Sequence, residues 1–262
     1  MLNVSDERCL FVGMVHLEPL PGSPGWGGRI DAVVDAAVAD AQALVRGGCD
    51  AIIVENMGDV PYLKGGVEAE TVAAMARATA AVTALGIPVG VQVLAGANRE
   101  ALAVALACGA KFIRVEAFAY GHVADEGWMD ACAGELVRAR ASLGAGDIKI
   151  WADIRKKHSA HALTQDLDLT EIAKGHVFCG ADALIVTGQS TGEPTDPNDL
   201  MLAREAGIPV VVGSGVDAHN IHQYAHMASA LIVGSALKFD GDWRKRVDES
   251  RVRELADALA RA

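Results

Sequence analysis

Residues 47–56 read GGCDAIIVEN, and this stretch sets the pattern for the whole chain. A glycine just past a helix supplies a left-handed cap, and the next strand starts at once. The run AIIV is apolar without alternation, as expected of a strand covered on both faces in a parallel sheet. Glu55 and Asn56 then close it with polar groups. Moving outward, the same kind of run recurs as CLFVGMVH (9–16), PVGVQVL (88–94), KFIRVEA (111–117), IKIWADI (148–154), DALIVTG (182–188), PVVVGSG (209–215) and ALIVGSA (230–236). Most are preceded by a glycine turn: LGIP, CGAK, GAGD, CGAD or AGIP.

The intervening segments have helical spacing. Ile30, Val33, Val34, Ala37, Val38, Ala41, Leu44 and Val45 fall on one face, as do Val72, Met75, Ala76, Thr79, Val82 and Leu85. Asn98 opens a short helix ending near Cys108, and Asp196-Pro197 reads as a cap followed by proline at the first helical position. Asp242 is the expected cap of the last helix. Eight strands alternating with eight helices predict an α/β fold, a closed (β/α)8 TIM barrel forming a single domain over 1–262. The rival is an open doubly wound sheet, which usually carries a glycine-rich loop after its first strand. Here that strand leads into VHLEPLPGSPGWGG, and the Gly-Ser loops follow strands seven and eight instead.

The chain has 262 residues, 51% of them hydrophobic, enough for one large core without disulfides. Its five cysteines form no C-x-x-C pair, which fits reduced thiols in a cytoplasmic protein. A formal charge of −11 argues against nucleic acid and against anionic membrane surfaces as partners. It does not argue against a phosphorylated small molecule held at a locally positive site. There is no signal-peptide pattern, and no apolar run is long enough to be an integral membrane segment.

In such a barrel the C-terminal ends of the strands build the site. Those ends carry His16 and Glu18, Glu55 and Asn56, Gln92, Arg114 and Glu116, Asp153, Thr187, Ser214 and Ser235. Ionised carboxylates are costly to bury unless paired or hydrated, so Glu55, Glu116 and Asp153 together suggest a cleft. The loops GSGV (213–216) and VGSALK (233–238) suit an anion: Gly213, Gly215 and Gly234 allow close approach, Ser214 and Ser235 can donate, and Lys238 adds charge. The alternative is that these glycines only serve tight turns. Loop six, TGQSTGEPTDP (187–197), reads as a lid or an ordinary exposed loop. Loop one, with Pro19, Pro21, Pro24 and Trp26, reads as a pocket wall or an oligomer contact, and a homo-oligomer is expected. In loop five, ADIRKKHSAH (152–161), Asp153 precedes Arg155, Lys156, Lys157 and His158. Arg155 and Lys156 are expected to be solvated charges, and Lys157 and His158 to take part in proton transfer. His158 and His161 lie three apart, a spacing that also suits a metal, though no third ligand is evident.

The segments MVHLEPLPGSP, IIVEN, ADIRKKHSAH, TGQSTG, GSGV with its later Asn220, VGSALKFDG and VDESRV together resemble the BtpA/SgcQ family over essentially the whole chain. That family is similar to the ribulose-phosphate-binding barrels, which implies phosphate at Gly213, Ser214, Gly215, Gly234 and Ser235. The resemblance also singles out Lys157-His158 as the recurrent pair after the strand-five Asp. One branch of the family is named for photosystem I biogenesis, and other members resemble sugar-operon enzymes without an assigned reaction.

Three functions remain open. The first is an isomerase, epimerase or aldolase-type lyase acting on a phosphorylated sugar or related metabolite. Its proton-transfer residues come from Glu55, Asp153, Lys157, His158, His16 and Glu116, with Glu18, Asn56, Gln92, Thr187 and Lys238 contacting substrate. The second is a non-catalytic assembly factor. The third is a metal-dependent hydrolase using His16, Glu18, Glu55, Asp153 and His158, with a divalent metal as cofactor. No other cofactor is implied.

Overall fold

The structure, a computed structural model, describes residues 8–156, 158–188 and 193–262. Each expected apolar run forms a strand. In chain order they are β1 (Leu10–His16), β2 (Ala51–Glu55), β3 (Val89–Gln92), β4 (Phe112–Val115), β7 (Lys149–Asp153), β9 (Ala183–Val186), β10 (Val210–Val212) and β11 (Ala230–Val233). These eight pair in parallel and close into a barrel, ordered β1-β11-β10-β9-β7-β4-β3-β2. Among the described residues, three further short strands were not anticipated: β5 (His122–Ala124), β6 (Gly127–Met129) and β8 (Ser159–Ala160), which form a separate antiparallel sheet.

Among the described residues, seven α-helices surround the barrel: α1 (Ile30–Gly47), α2 (Ala69–Thr83), α3 (Asn98–Cys108), α4 (Ala133–Ser142), α5 (Leu169–Phe178), α6 (Pro197–Arg204) and α7 (Glu249–Ala260). The expected eighth is replaced, after β10, by a 3-10 turn at Ile221–Gln223. Asp196 caps α6 by accepting from the Asn198 N–H, with Pro197 at the helix start. The last helix begins later than expected: its cap is Asp248, which accepts from Ser250 N–H, whereas Asp242 lies in a turn ahead of it. Gly48 after α1 takes φ 103°, the left-handed cap that its sequence announced.

Strand alternation divides the core in two. Val54, Val91, Ile113, Ile150, Leu184 and Val212 face outward and pack on Val33, Leu44, Met75 and Leu102 of the helices. Val12, Met14, Ile53, Phe112, Trp151, Ile185, Val211 and Ile232 point inward and fill the barrel, with Phe112 and Trp151 stacked 3.9 Å apart. Such a stack contributes about 0.5–1.5 kcal/mol beyond its buried area. The barrel interior is therefore plugged below, and its open space lies above this apolar layer. All five cysteines are unpaired. Among the described residues, no helix is long and apolar enough to cross a membrane.

Candidate active site

A period of two along each strand fixes what caps the apolar plug. Continuing inward from Met14, Ile53, Gly90, Phe112, Trp151, Ile185, Val211 and Ile232, the next residues are His16, Glu55, Gln92, Arg114, Asp153, Thr187, Gly213 and Gly234. Register agrees: His16 lies beside Glu55, and Glu55 beside Gln92. The ring carries large polar side chains on one side and two glycines on the other. Above it opens a cavity of about 260 Å3. Its lining includes His16, Glu55, Tyr62, Gln92, Arg114, Glu116, Asp125, Glu126, Lys156 and His158, faced by Gly213–Asp217 and Val233–Ala236.

The carboxylates differ in how they are held. Both oxygens of Asp153 accept from Arg114, from Nε and Nη2, each at 3.0 Å, in a buried bidentate pair. Asp153 does not line the cavity, but Arg114 does. Glu55 Oε2 lies 3.5 Å from His16 Nε2, and His16 Nδ1 lies 3.4 Å from the Trp243 carbonyl. Glu116 is buried and takes a weak hydrogen bond on Oε1 from Gln92 Nε2 at 3.5 Å. Among the described residues its Oε2 has no hydrogen-bond partner, although Lys156 Nζ stands 3.6 Å away. Burial pushes the Glu116 carboxyl up to about 7, against the pull of the Lys156 ammonium.

Lys156 overturns an expectation. Instead of a solvated charge it is an inward-facing, buried ammonium whose Nζ donates to Glu126 Oε2 at 2.6 Å. Burial alone would lower its proton affinity, but the Glu116 and Glu126 carboxylates outweigh that and hold it above its ordinary value. The unforeseen small sheet explains the geometry. Asp125 and Glu126 form the turn of the β5–β6 hairpin, and β8 pairs with β5 through Ala124 and Ser159. The loops after β4 and β7 are thus joined over the mouth. Met129 seals the hairpin underneath with Ala117 and Ala124. The signal was present in HVADEGWM: two short runs around an Asp-Glu-Gly turn.

Several expected contacts sit elsewhere. Lys238 is completely buried, but its Nζ bonds Asp40 Oδ2 of α1 at 3.1 Å, away from the cavity. Asp40 also binds Arg246 and the Val247 N–H, so Lys238 anchors the loop after β11 and does not reach for a ligand. Asn56 binds Leu94 N–H and Asp59, and Asp59 binds Leu20 N–H, a knot tying loops one, two and three. Glu18 is exposed and outside the lining, and Thr187 donates to the Arg155 carbonyl. Trp26 is partly buried, packing against the core, and it does not line the cavity. His158 does line the cavity. Lys157 and residues 189–192 of loop six lie outside the described residues. Tyr62, Asp125 and Glu126 line the cavity but were not singled out from sequence.

The glycines have packing roles of their own. A Cβ on Gly213 would meet Ile185 at 2.4 Å, and one on Gly234 would meet the His16 ring at 3.0 Å. Gly215 has φ +72° and would meet the Glu193 carbonyl at 2.1 Å. Its loop is fixed by Asn220 Nδ2, which donates to the Gly215 carbonyl at 2.7 Å. Ser214 Oγ accepts from Gly188 N–H at 3.1 Å, and Ser235 opens a 3-10 turn on the cavity wall. Among the described residues, no three His, Cys, Asp or Glu side chains gather as metal ligands, so His16, Glu18, Glu55, Asp153 and His158 do not form one cluster.

Among solved structures, the chain is similar to phosphoribosyl anthranilate isomerase from Thermus thermophilus, with TM-score 0.57 and 14% identity over 96% of this chain and 98% of that one. It is also similar to KGPDC from Streptococcus mutans, with TM-score 0.62 and 11% identity over 97% of this chain and 99% of that one. At such identity these establish the barrel fold alone. The Synechocystis photosystem I biogenesis protein BtpA is 40% identical over 95% of this chain and 87% of its own length. An uncharacterized mitochondrial protein of Caenorhabditis elegans is 41% identical over 95% and 92%. The BtpA family model matches residues 7–261. The chain therefore belongs to the BtpA family.

Proposed function

We propose that the protein is an enzyme acting on a phosphorylated sugar or related small metabolite, moving a proton on carbon in an isomerase or epimerase reaction. One observation carries this reading. In a single cavity the Gly-Ser loops after β10 and β11 face a buried carboxyl, Glu116, poised near neutrality beside the protonated Lys156. Barrels often hold phosphate on loops in that position. Ser214, Gly215, Gly234 and Ser235 supply the phosphate wall, with Arg114 close to Gly213 adding charge.

The proton work falls to Glu116, because Asp153 is committed to Arg114. Glu116 takes a proton from the carbon next to a carbonyl, and the electron pair moves onto the carbonyl oxygen. Lys156 steadies that oxygen while the His16–Glu55 pair gives it a proton; the pair then takes back the proton of the neighbouring hydroxyl as the new carbonyl forms, and Glu116 returns its proton to the former carbonyl carbon. A base with a pKa near the working pH suits this task. A lysine Schiff base needs a neutral amine, and the carboxylates around Lys156 hold it protonated, which disfavours an aldolase of that kind. The solved barrels cited above, one of them a phosphoribosyl anthranilate isomerase, support a phosphorylated ligand by analogy. Five unpaired cysteines favour a reducing compartment such as the cytoplasm.

The test is hydrogen exchange. Aldose and ketose phosphates are incubated with the protein in D2O, and loss of the C–H signal is followed by NMR. Exchange by wild type that is lost in Glu116→Gln is expected. No exchange, together with no binding of inorganic phosphate, overturns the reading. In that case the 40% identity to a photosystem I biogenesis protein makes an assembly role the second reading.

A further inference from the structure

The half of the cavity that faces the phosphate loops carries two acceptors that are unanswered among the described residues. Gln92 is 2% exposed and Glu116 is 6% exposed, and both line the cavity. Gln92 spends its Nε2 on Glu116 Oε1, leaving Gln92 Oε1 with no hydrogen-bond partner among the described residues. With Glu116 ionised, as it is above its pKa of about 7, turning the amide over would set the amide oxygen against a carboxylate oxygen, so this orientation is the favoured one there. Glu116 Oε2 likewise lacks a hydrogen bond. A buried polar atom without a partner is costly, which makes a pair of them on a cavity floor a demand for donors from a ligand.

The charges nearby decide which donors. Lys156 is the ammonium at this end, and it is already shared between Glu116 and Glu126, with Asp125 beside them on the hairpin turn. Three carboxyl groups around one ammonium make this end acidic on balance, so Lys156 can donate to a single oxygen but the site repels a full, permanent ligand carboxylate. A ligand ammonium would in turn meet Lys156. The other cavity cation, Arg114, is tied to Asp153 and lies on the glycine side, where Gly213 approaches its Nη2.

We propose that the ligand end remote from the phosphate is a neutral, hydroxyl-bearing chain whose O–H groups donate to Gln92 Oε1 and Glu116, and that the site discriminates against sugar phosphates ending in a carboxylate. This deepens the sugar-phosphate reading and rests on it. A cavity of about 260 Å3, just under the usual range of about 300–1,000 Å3 for ligand pockets, limits the ligand to a short chain. A site that binds a hydroxyl through buried acceptors discriminates strongly against analogues that leave those acceptors unmet.

Three probes separate this inference from the reading beneath it. Isothermal titration calorimetry is run with inorganic phosphate, with ribitol 5-phosphate and with ribonate 5-phosphate, which differs by a terminal carboxylate. Ribitol 5-phosphate is expected to bind at least about tenfold more tightly than inorganic phosphate, a gain equal to one or two net hydrogen bonds. Ribonate 5-phosphate is expected to bind no better than inorganic phosphate. Gln92→Met is expected to erase most of the gain shown by ribitol 5-phosphate, and thermal unfolding of that variant confirms that the barrel is intact. If inorganic phosphate binds and the ribonate equals or exceeds the ribitol compound, this inference is overturned while the phosphate site stands. If none of the three binds, the sugar-phosphate reading falls and takes the inference with it.

Discussion

Glu116→Gln isolates the group on which the proposed chemistry depends, and its effect on stability can be worked out before any substrate is known. In the folded protein the carboxyl titrates at about 7 against an ordinary value of 4.5. Below pH 4.5 it is protonated in both the folded and unfolded chains, and its ionisation contributes nothing. Between 4.5 and 7 the unfolded chain ionises while the folded one keeps its proton, so stability falls as pH rises. Above 7 the penalty is complete. At 1.36 kcal/mol for each tenfold in proton affinity, the gap corresponds to about 3 kcal/mol. Relaxation around a buried charge trims this to about 1–3 kcal/mol. Glutamine has no such titration, so the difference in stability, variant minus wild type, is expected to climb by that amount from pH 4.5 to 7.5. Lys156 keeps Glu126 as its partner in the variant, so its charge is not stranded. Urea unfolding at several pH values, followed by circular dichroism, measures the difference. A difference that stays flat or shrinks with rising pH refutes the argument that burial holds Glu116 in its protonated form.

Asp153→Asn leaves the Arg114 guanidinium buried with its charge unanswered and is expected to cost about 3–5 kcal/mol, seen as a large drop in the urea midpoint. Gly215→Val meets the Glu193 carbonyl and requires a left-handed backbone, so both melting temperature and phosphate affinity are expected to fall. Light scattering at micromolar concentration is expected to show more than one chain per particle, and a monomer ends the oligomer expectation.

What could be read from the sequence follows from how local each cause is. The barrel strands announce themselves through unbroken apolar runs, because both faces of a parallel strand are covered, and GGCDAIIVEN carries that signal alone. The inward ring is equally local: once Ile53 is inside, Glu55 must be, two residues on. Pairing across the ring is not local. Nothing in IRVEA or WADI says that Arg114 and Asp153, on neighbouring strands, satisfy each other in a buried bidentate pair. Lys238 shows the same limit: it stands beside a Gly-Ser loop in sequence, but Asp40, 198 residues away, determines where its ammonium goes.

Lys156 is the strongest case of a role created by assembly. In ADIRKKH it is one of three consecutive basic residues, and the ordinary expectation for such a run is solvation. Burial of an ammonium is tolerable only with carboxylates in reach, and these come from two other places, Glu116 at the end of β4 and Glu126 on the hairpin turn. The hairpin in turn holds its position partly by pairing with β8, two residues beyond His158 at its far end. The same loop therefore supplies both the cation and part of the sheet that brings its counter-ion. Disrupting that sheet, for instance with Val123→Pro on β5, is expected to disturb the Lys156–Glu126 pair and change the pH at which Glu116 ionises. The shift is measurable as a displaced midpoint in the carboxyl 13C titration of Glu116, and an unmoved midpoint shows that Lys156 is held by the barrel alone.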